Sequence, residues 1–369
     1  VKKKALALLC ALALALGNVP AALALPATAF YRQFADTGQP AWGALIMKRM
    51  VQTGIMRGYQ GTGASSDTYY AYPDQPVTRD EFAVLLARSL NLPDSTTVPP
   101  LADWADIPAW AQPKVATLFT RHVVQGQPGP DGGSYFDGGA YITRAELVAM
   151  IERAAGASTG AAGPSPFYDV TSQDWFYGYV LAAYRAGIVQ GEEPGWFEPY
   201  GNATRVEVMA MLWRLLTGAK TGVPPAADLI QPVETVNNLT AGALQGQKES
   251  RLASYLTGEA ALALSQGNFF LLENTPPAGV VSVSITYPAG QPQVVAESVY
   301  LATVAATVEV NLGLSGSAVS GLNYQGVVYY RLINQGGQWL VYAVTFYSQS
   351  VDGSQPAILN RNGLQDGGF

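Results

Sequence analysis

Three copies of one four-residue pattern constrain this chain more than any other feature. Thr78-Arg79-Asp80-Glu81, Thr143-Arg144-Ala145-Glu146 and Thr204-Arg205-Val206-Glu207 all read T-R-x-E, at separations of 65 and 61 residues. Self-similarity at a near-constant period is the mark of one supersecondary unit used repeatedly. More of the unit is visible upstream. Phe34-Ala35-Asp36, Leu101-Ala102-Asp103 and Phe167-Tyr168-Asp169 read apolar-x-Asp, and each is followed by a tryptophan, Trp42, Trp110 or Trp175. A glycine, Gly58, Gly126 or Gly191, follows each tryptophan after 16 residues.

The constant interval predicts a first helix closed by its glycine. Apolar residues within it keep helical spacing, as at Trp175, Tyr179, Val180, Ala183, Tyr184 and Ile188. From glycine to threonine the intervals are 20, 17 and 13 residues, so length variation is confined to one segment, predicted to be a loop. A second helix follows each T-R-x-E, with Phe82/Leu85/Leu86, Leu147/Met150/Ile151 and Val208/Met211/Leu212 at i, i+3, i+4. So small a unit cannot bury its apolar stripe alone. Three copies are therefore expected to pack together around a central three-helix bundle of second helices.

The T-R-x-E motif itself divides in two. Threonine and glutamate form a capping box, stabilising each helix by about 1 kcal/mol. The arginine is not explained by capping, since a cation at the first helical position faces the positive end of the helix dipole. Either an internal carboxylate such as Asp36, Asp103 or Asp169 compensates it, or an external anion does. Helix amides beside a guanidinium suit a carboxylate or phosphate.

The combined series of apolar-x-Asp, tryptophan, glycine and T-R-x-E resembles the S-layer-homology domain. That resemblance covers 30–217 as three repeats, at 30–92, 93–157 and 158–217. It implies a helical prism that binds secondary cell-wall polysaccharide through pyruvylated sugars, in grooves between neighbouring repeats. By resemblance, Arg79, Arg144 and Arg205 grip the pyruvyl carboxylate, and Asp36, Asp103 and Asp169 accept sugar hydroxyls or orient the arginines. Trp42, Trp110 and Trp175 line the sugar site or anchor the first helix in the core. Gly58, Gly126 and Gly191 let the backbone approach the glycan or cap the first helix. The copies differ: Tyr59 follows the first glycine, Gln127 the second, and Glu192-Glu193 the third, where two acids are expected to weaken the site. The loop from Gly61 to Tyr72 is long enough to cover the first groove.

At the N-terminus, Lys2 to Lys4 precede a charge-free run from Ala5 to Leu16, and Ala27-Thr28-Ala29 fits a small-x-small cleavage site. Residues 1–29 are therefore expected to be a secretory signal, the apolar run being shorter than the roughly 20 residues a spanning helix needs. Its removal carries away the one cysteine, Cys10, and no membrane span is expected thereafter. The net charge of −6 and the single histidine, His122, argue against a nucleic-acid partner.

Beyond a Pro-rich linker at 218–230 the pattern changes. Residues 231–352 are expected to form a small α+β domain: helices to about 266, then period-two strands at 280–287, 294–312, 324–334 and 338–348. The long second strand is expected to bend at 302–306, and Gln335-Gly336-Gly337 to turn the final hairpin. Helices followed by a curved antiparallel sheet, with a Tyr/Trp-rich last hairpin, resemble the NTF2-like fold. A tail at 353–369 completes the chain. No histidine, cysteine, metal cluster or acid pair of glycosidase spacing marks this half, so neither a cofactor nor an enzymatic role is expected there. The acids Glu297 and Glu309 are placed on strands, as solvated positions or facing a cone interior.

The resulting expectation is a multidomain α plus α+β protein of the cell surface, anchored non-covalently to wall glycan and presenting a C-terminal module whose partner the sequence does not identify. The alternatives are a surface enzyme with its site in that module, and an S-layer or envelope structural component.

Overall fold

The computed structural model describes residues 34–62, 68–156, 163–245, 251–265, 280–315 and 321–348. The expected signal segment and the tail lie outside these residues.

Each repeat contributes two helices: α1 (Ala44–Gln52) and α2 (Arg79–Ser89), α3 (Gln112–Thr120) and α4 (Arg144–Ala154), α5 (Tyr177–Arg185) and α6 (Arg205–Gly218). The variable segments form short hairpins in the first two repeats, β1 (Tyr59–Gln60) with β2 (Tyr69–Tyr70) and β3 (Gln127–Pro128) with β4 (Ser134–Tyr135). The first helix of each repeat packs on the second helix of the repeat before it: α3 on α2, α5 on α4 and, closing the circuit, α1 on α6. A backbone ring closes the same way. The amide of Val77 donates to the carbonyl of Ala203 (3.1 Å), Ala203 to Ile142 (3.1 Å), and Ile142 to Val77 (2.9 Å).

The first helices end earlier than the sequence predicts. Their left-handed closing residues are Gly54 (φ 78°), His122 (φ 58°) and Gly187 (φ 73°), four positions before the glycines singled out. Beyond each, an amide reaches back into the last turn, Met56 to Met50 (3.0 Å), Val123 to Leu118 (2.9 Å) and Ile188 to Ala183 (2.8 Å), a Schellman-type stop. A histidine in the middle copy hid the pattern.

The C-terminal part packs helices α7 (Ala226–Leu244) and α8 (Gly258–Ser265) on a curled antiparallel sheet. Its strands are β5 (Val280–Thr286), β6 (Gln293–Glu297), β7 (Leu301–Leu314), β8 (Gly321–Gln335) and β9 (Gln338–Ser348), ordered β5-β7-β8-β9 with β6 also paired to β7. The expected break in the long strand falls at 298–300 rather than 302–306. There the Ser298 hydroxyl accepts the amides of Tyr300 (3.2 Å) and Leu301 (2.8 Å) and turns the chain. Ala302, Ala305 and Ala306, where the bend was expected, lie buried at mid-sheet. Gly336 (φ 65°) and Gly337 (φ 91°) turn the last hairpin as expected.

Two boundaries also shift. The expected linker at 218–230 shrinks to 219–225, because α6 runs to Gly218 and α7 begins at Ala226 and continues through Pro232. Pro225 supplies the extended entry, and Asp228 sits favourably in the first turn. The domain does not hang from this connection. Ala296, Leu301, Ile333, Tyr342 and Ala343 join the buried core of the repeats, and the Val299 amide donates to Ala219 (2.9 Å). At Gly258 (φ 54°) the backbone crosses the end of α1 so closely that an added Cβ would lie 2.1 Å from the Gln52 carbonyl.

Candidate functional site

The start of each second helix is where the repeated residues converge. Thr78/Glu81, Thr143/Glu146 and Thr204/Glu207 form the expected capping boxes. The two preceding amides are taken by the neighbouring repeat. Arg79 and Asp80 donate to Ala140 (3.0 Å) and Gly138 (2.9 Å), Arg144 and Ala145 to Gly201 and Pro199 (both 2.9 Å), Arg205 and Val206 to Gln75 and Pro73 (both 2.9 Å). The helix N-termini thus leave none of these donors to an outside anion, and each serves as a joint between repeats.

The arginines cross the same joints. Arg79 pairs with Glu146 (2.9 Å), Arg144 with Glu207 (3.0 Å) and Arg205 with Glu81 (3.1 Å), each carboxylate belonging to the next repeat in the circuit. Internal carboxylates therefore compensate the arginines, and they are the T-R-x-E glutamates rather than Asp36, Asp103 or Asp169. The Nε of Arg79 donates to the Phe136 carbonyl (2.8 Å) and that of Arg144 to Phe197 (2.8 Å). Their guanidiniums lie over the same aromatic rings, 5.2 and 5.1 Å from the centroids. Arg205 differs: it lies over Tyr59 (4.8 Å) and bonds its hydroxyl, and its buried Nε has no partner. All three are buried, at 6%, 3% and 6% exposure, which places them in the joints and not on the surface.

The aspartates hold the segment a few residues ahead of each T-R-x-E, which Arg79 and Arg144 grip in two of the three copies. Asp36 accepts the amides of Ala71 and Tyr72 (both 2.7 Å), Asp103 those of Phe136 (2.9 Å) and Asp137 (2.7 Å), and Asp169 those of Phe197 (2.9 Å) and Glu198 (2.7 Å). The second residue of each pair, Tyr72, Asp137 or Glu198, is left-handed at φ 50–59°. Two charge-assisted bonds hold that costly conformation.

The glycines pack against the first residue of the apolar-x-Asp motif. An added Cβ would lie 2.2 Å from the Phe34 ring at Gly58, 3.1 Å from Leu101 at Gly126 and 2.9 Å from Phe167 at Gly191. They are not helix caps, because the first helices have already closed at Gly54, His122 and Gly187, and their positive φ and close packing leave little room for a larger residue. Trp42, Trp110 and Trp175 are 56%, 55% and 56% exposed, which removes the core-anchor reading. Each lies two residues ahead of a first helix, and beside Trp42, Gly43 lies against Val206 at the start of α6.

The residue after each glycine faces the joint. The Tyr59 hydroxyl bonds Glu81, and burial together with that bond pushes it up to about 12. Gln127 donates to Glu146 (2.6 Å). Glu192 pairs with Arg144, so the acid of the third copy bears on the second arginine and not on Arg205. Burial and the hydrogen bond with Glu207 raise Glu192 to about 7. Burial alone would raise Glu146 and Glu207 as well. Arg79 and the Thr143 amide hold Glu146 below its usual range, and the bond from Glu192 with the Thr204 amide does so for Glu207.

Between the first two repeats the joint opens into a cleft of 240 Å³, lined by Asp80, Asp103, Asp106, Ile107, Tyr135, Asp137, Gly138 and Gly139. A second cleft, of 490 Å³, lies in the C-terminal part among Asp228, Gln231, Tyr255, Asn334, Gln338 and Trp339. Among the described residues no three His, Cys, Asp or Glu side chains converge to hold a metal ion, and no helix is long and apolar enough to cross a membrane.

Comparison with known proteins bears on the repeats. Residues 166–209 match the family model of the S-layer homology domain, a stretch that holds Asp169, Trp175, Gly191 and Thr204 to Glu207. An amylopullulanase of Thermoanaerobacterium thermosulfurigenes is 32% identical over 158 residues, 41% of this chain and 8% of that protein. A surface layer protein of Brevibacillus choshinensis is 36% identical over 88 residues, 23% of this chain and 8% of that protein. The matches span 8–10% of the length of the first curated relatives. A scytalone dehydratase structure from Novosphingobium aromaticivorans overlaps 36% of this chain and 92% of its own, at a TM-score of 0.26 and 12% identity, too slight to bear on the fold. The family match and the surface-layer relatives support a secreted protein held at the cell surface. The third repeat thus carries the match to the S-layer homology domain, and the first two share its residue pattern.

Proposed function

We propose that the three repeats hold a secreted protein non-covalently on the bacterial cell wall by binding secondary wall polysaccharide, and present the C-terminal domain as a binding or interaction module. In this reading the repeats form a three-sided prism around a bundle of α2, α4 and α6, and the C-terminal domain is an NTF2-like cone. The observation that carries it is the recurrence of a half-exposed tryptophan just ahead of the first helix in all three repeats, with exposures within one percentage point. An apolar ring kept in water at three equivalent places is a surface for a partner, and a sugar ring fits its flat face. The arginines shape the grooves. A pyruvyl carboxylate would reach one only by sharing it with the glutamate already there.

The filling of the C-terminal domain favours a binding module over a surface enzyme. Leu229, Val233 and Val236 of α7 meet Val304, Val308, Val328 and Leu332 of the sheet. Within that core the Tyr330 hydroxyl donates to Asn237 (2.9 Å), which in turn donates to Tyr287 (2.9 Å).

The test is sedimentation of the full chain with purified wall polysaccharide. Replacing Trp42, Trp110 and Trp175 by alanine is expected to weaken binding about tenfold or more, with the unfolding midpoint nearly unchanged. Removing pyruvyl groups from the polysaccharide is expected to weaken it further. Full affinity in the triple variant would sink the assignment.

A further inference from the structure

The cleft between the first two repeats is acidic in a way the other joints are not. Asp103 has counterparts in Asp36 and Asp169, but its neighbours do not. At the equivalent positions Asp80 is replaced by Ala145 and Val206, Asp106 by Gln39 and Ser172, and Asp137 by Tyr72 and Glu198. Both Asp103 oxygens are engaged by amides. Asp80 is not so served. Only 4% exposed, it lines the cleft, and its Oδ1 has no hydrogen-bond partner. Its carboxyl lies against Gly138, where an added Cβ would come within 2.3 Å of Oδ1. Arg79, the adjacent cation, is already committed to Glu146 and Phe136. A buried carboxylate oxygen without a hydrogen-bond partner is expensive, and the charge of Arg79 offsets that cost only in part.

We infer that this groove takes a compact organic cation, the ammonium group of a hexosamine that lacks its N-acetyl cap, with Asp80 as its ion-pair partner. The inference rests on the wall-glycan reading for its source of hexosamine. A metal ion fits the cleft less well, since no three acids converge closely enough to ligate one among the described residues. The volume of 240 Å³ suits a sugar-sized group, and Tyr135 offers a ring beside it. Burial and the nearby Asp103 charge raise Asp80 to about 6. The charges around it are Arg79 and Glu81 on its own helix, and Asp103, Asp106 and Asp137 from the facing repeat. Binding of a cation whose own charge stays constant should therefore weaken as pH falls from 7 to 5.

Calorimetric titration of the full chain with a glucosamine tetramer and with its N-acetylated form, at pH 7, tests this. The free-amine tetramer is expected to bind about tenfold tighter or more, and Asp80→Asn and Asp80→Ala to abolish that preference. Equal binding of the two tetramers, or a preference that survives both substitutions, would overturn the inference. So would an Asp80-dependent heat with calcium chloride alone, which would mark a metal site. Sedimentation with native wall polysaccharide separates this from the anchoring function. If the wall is bound without any amine preference, the ammonium site falls and the anchor stands. If the amine is preferred and the wall is not bound, the reverse holds.

Discussion

Glu152 gives the sharpest test of how the repeats are packed. It lies in α4, at a position occupied by Ala87 and Trp213 in the other copies. The side chain is 3% exposed, and its Oε1 has no hydrogen-bond partner. Burial alone raises its carboxyl from 4.5 to about 7. A raised carboxyl means that the folded chain holds a proton the unfolded chain releases between those two values. Stability from this residue is therefore highest below pH 4.5 and falls as pH rises towards 7 and beyond. At about 1.4 kcal/mol per pK unit, the fall amounts to about 3 kcal/mol. Glutamine cannot ionise, so Glu152→Gln should leave stability little changed at pH 4.5 and raise it by up to about 3 kcal/mol at pH 8.5. Urea unfolding of both proteins at the two pH values measures this, the slope serving to check that the surface exposed on unfolding is unchanged. An equal difference between variant and wild type at both pH values would refute the reasoning.

Other perturbations probe the joints. Arg144→Ala strands Glu207 and Glu192 and removes the bond to Phe197, so a loss of about 3–5 kcal/mol is expected; Arg144→Lys should recover little, because an ammonium cannot hold the forked contacts. Thermal unfolding measures both, and the loss makes arginine variants poor probes of glycan binding. Gly58→Ala should destabilise by more than about 1 kcal/mol, from strain and from the clash with Phe34, whereas Gly132→Ala, at φ 80° with open space around it, should cost only the strain. Similar losses at the two sites in denaturant titration would contradict the packing described for Gly58.

What the sequence disclosed follows the range over which each interaction acts. The capping boxes span three residues, and periodicity reveals them. The glutamate that answers each arginine lies 63–124 residues away, in another repeat. It was hidden because the order of repeats around the ring cannot be inferred from any one copy. The same displacement moved the effect of Glu192 from Arg205 to Arg144. The aspartates looked like ligand groups because their amide partners are 28–36 residues downstream and carry no side-chain signature. In the C-terminal half, alternation located the strands well. The serine turn at 298–300 escaped because one hydroxyl does what a glycine or proline would have announced.

The ring of amides through Val77, Ala203 and Ile142 has a consequence for how such a protein can evolve. A solenoid lengthens by adding units at its ends, since each unit touches only its neighbours. Here the last repeat returns to the first, so the array has no end. Two units could not close it, and a fourth would have to break a joint to enter. Sequence can still diverge within each joint, as Asp80, Glu192 and Tyr59 show. A fixed count of three thus leaves specialisation of individual grooves as the open route to new binding.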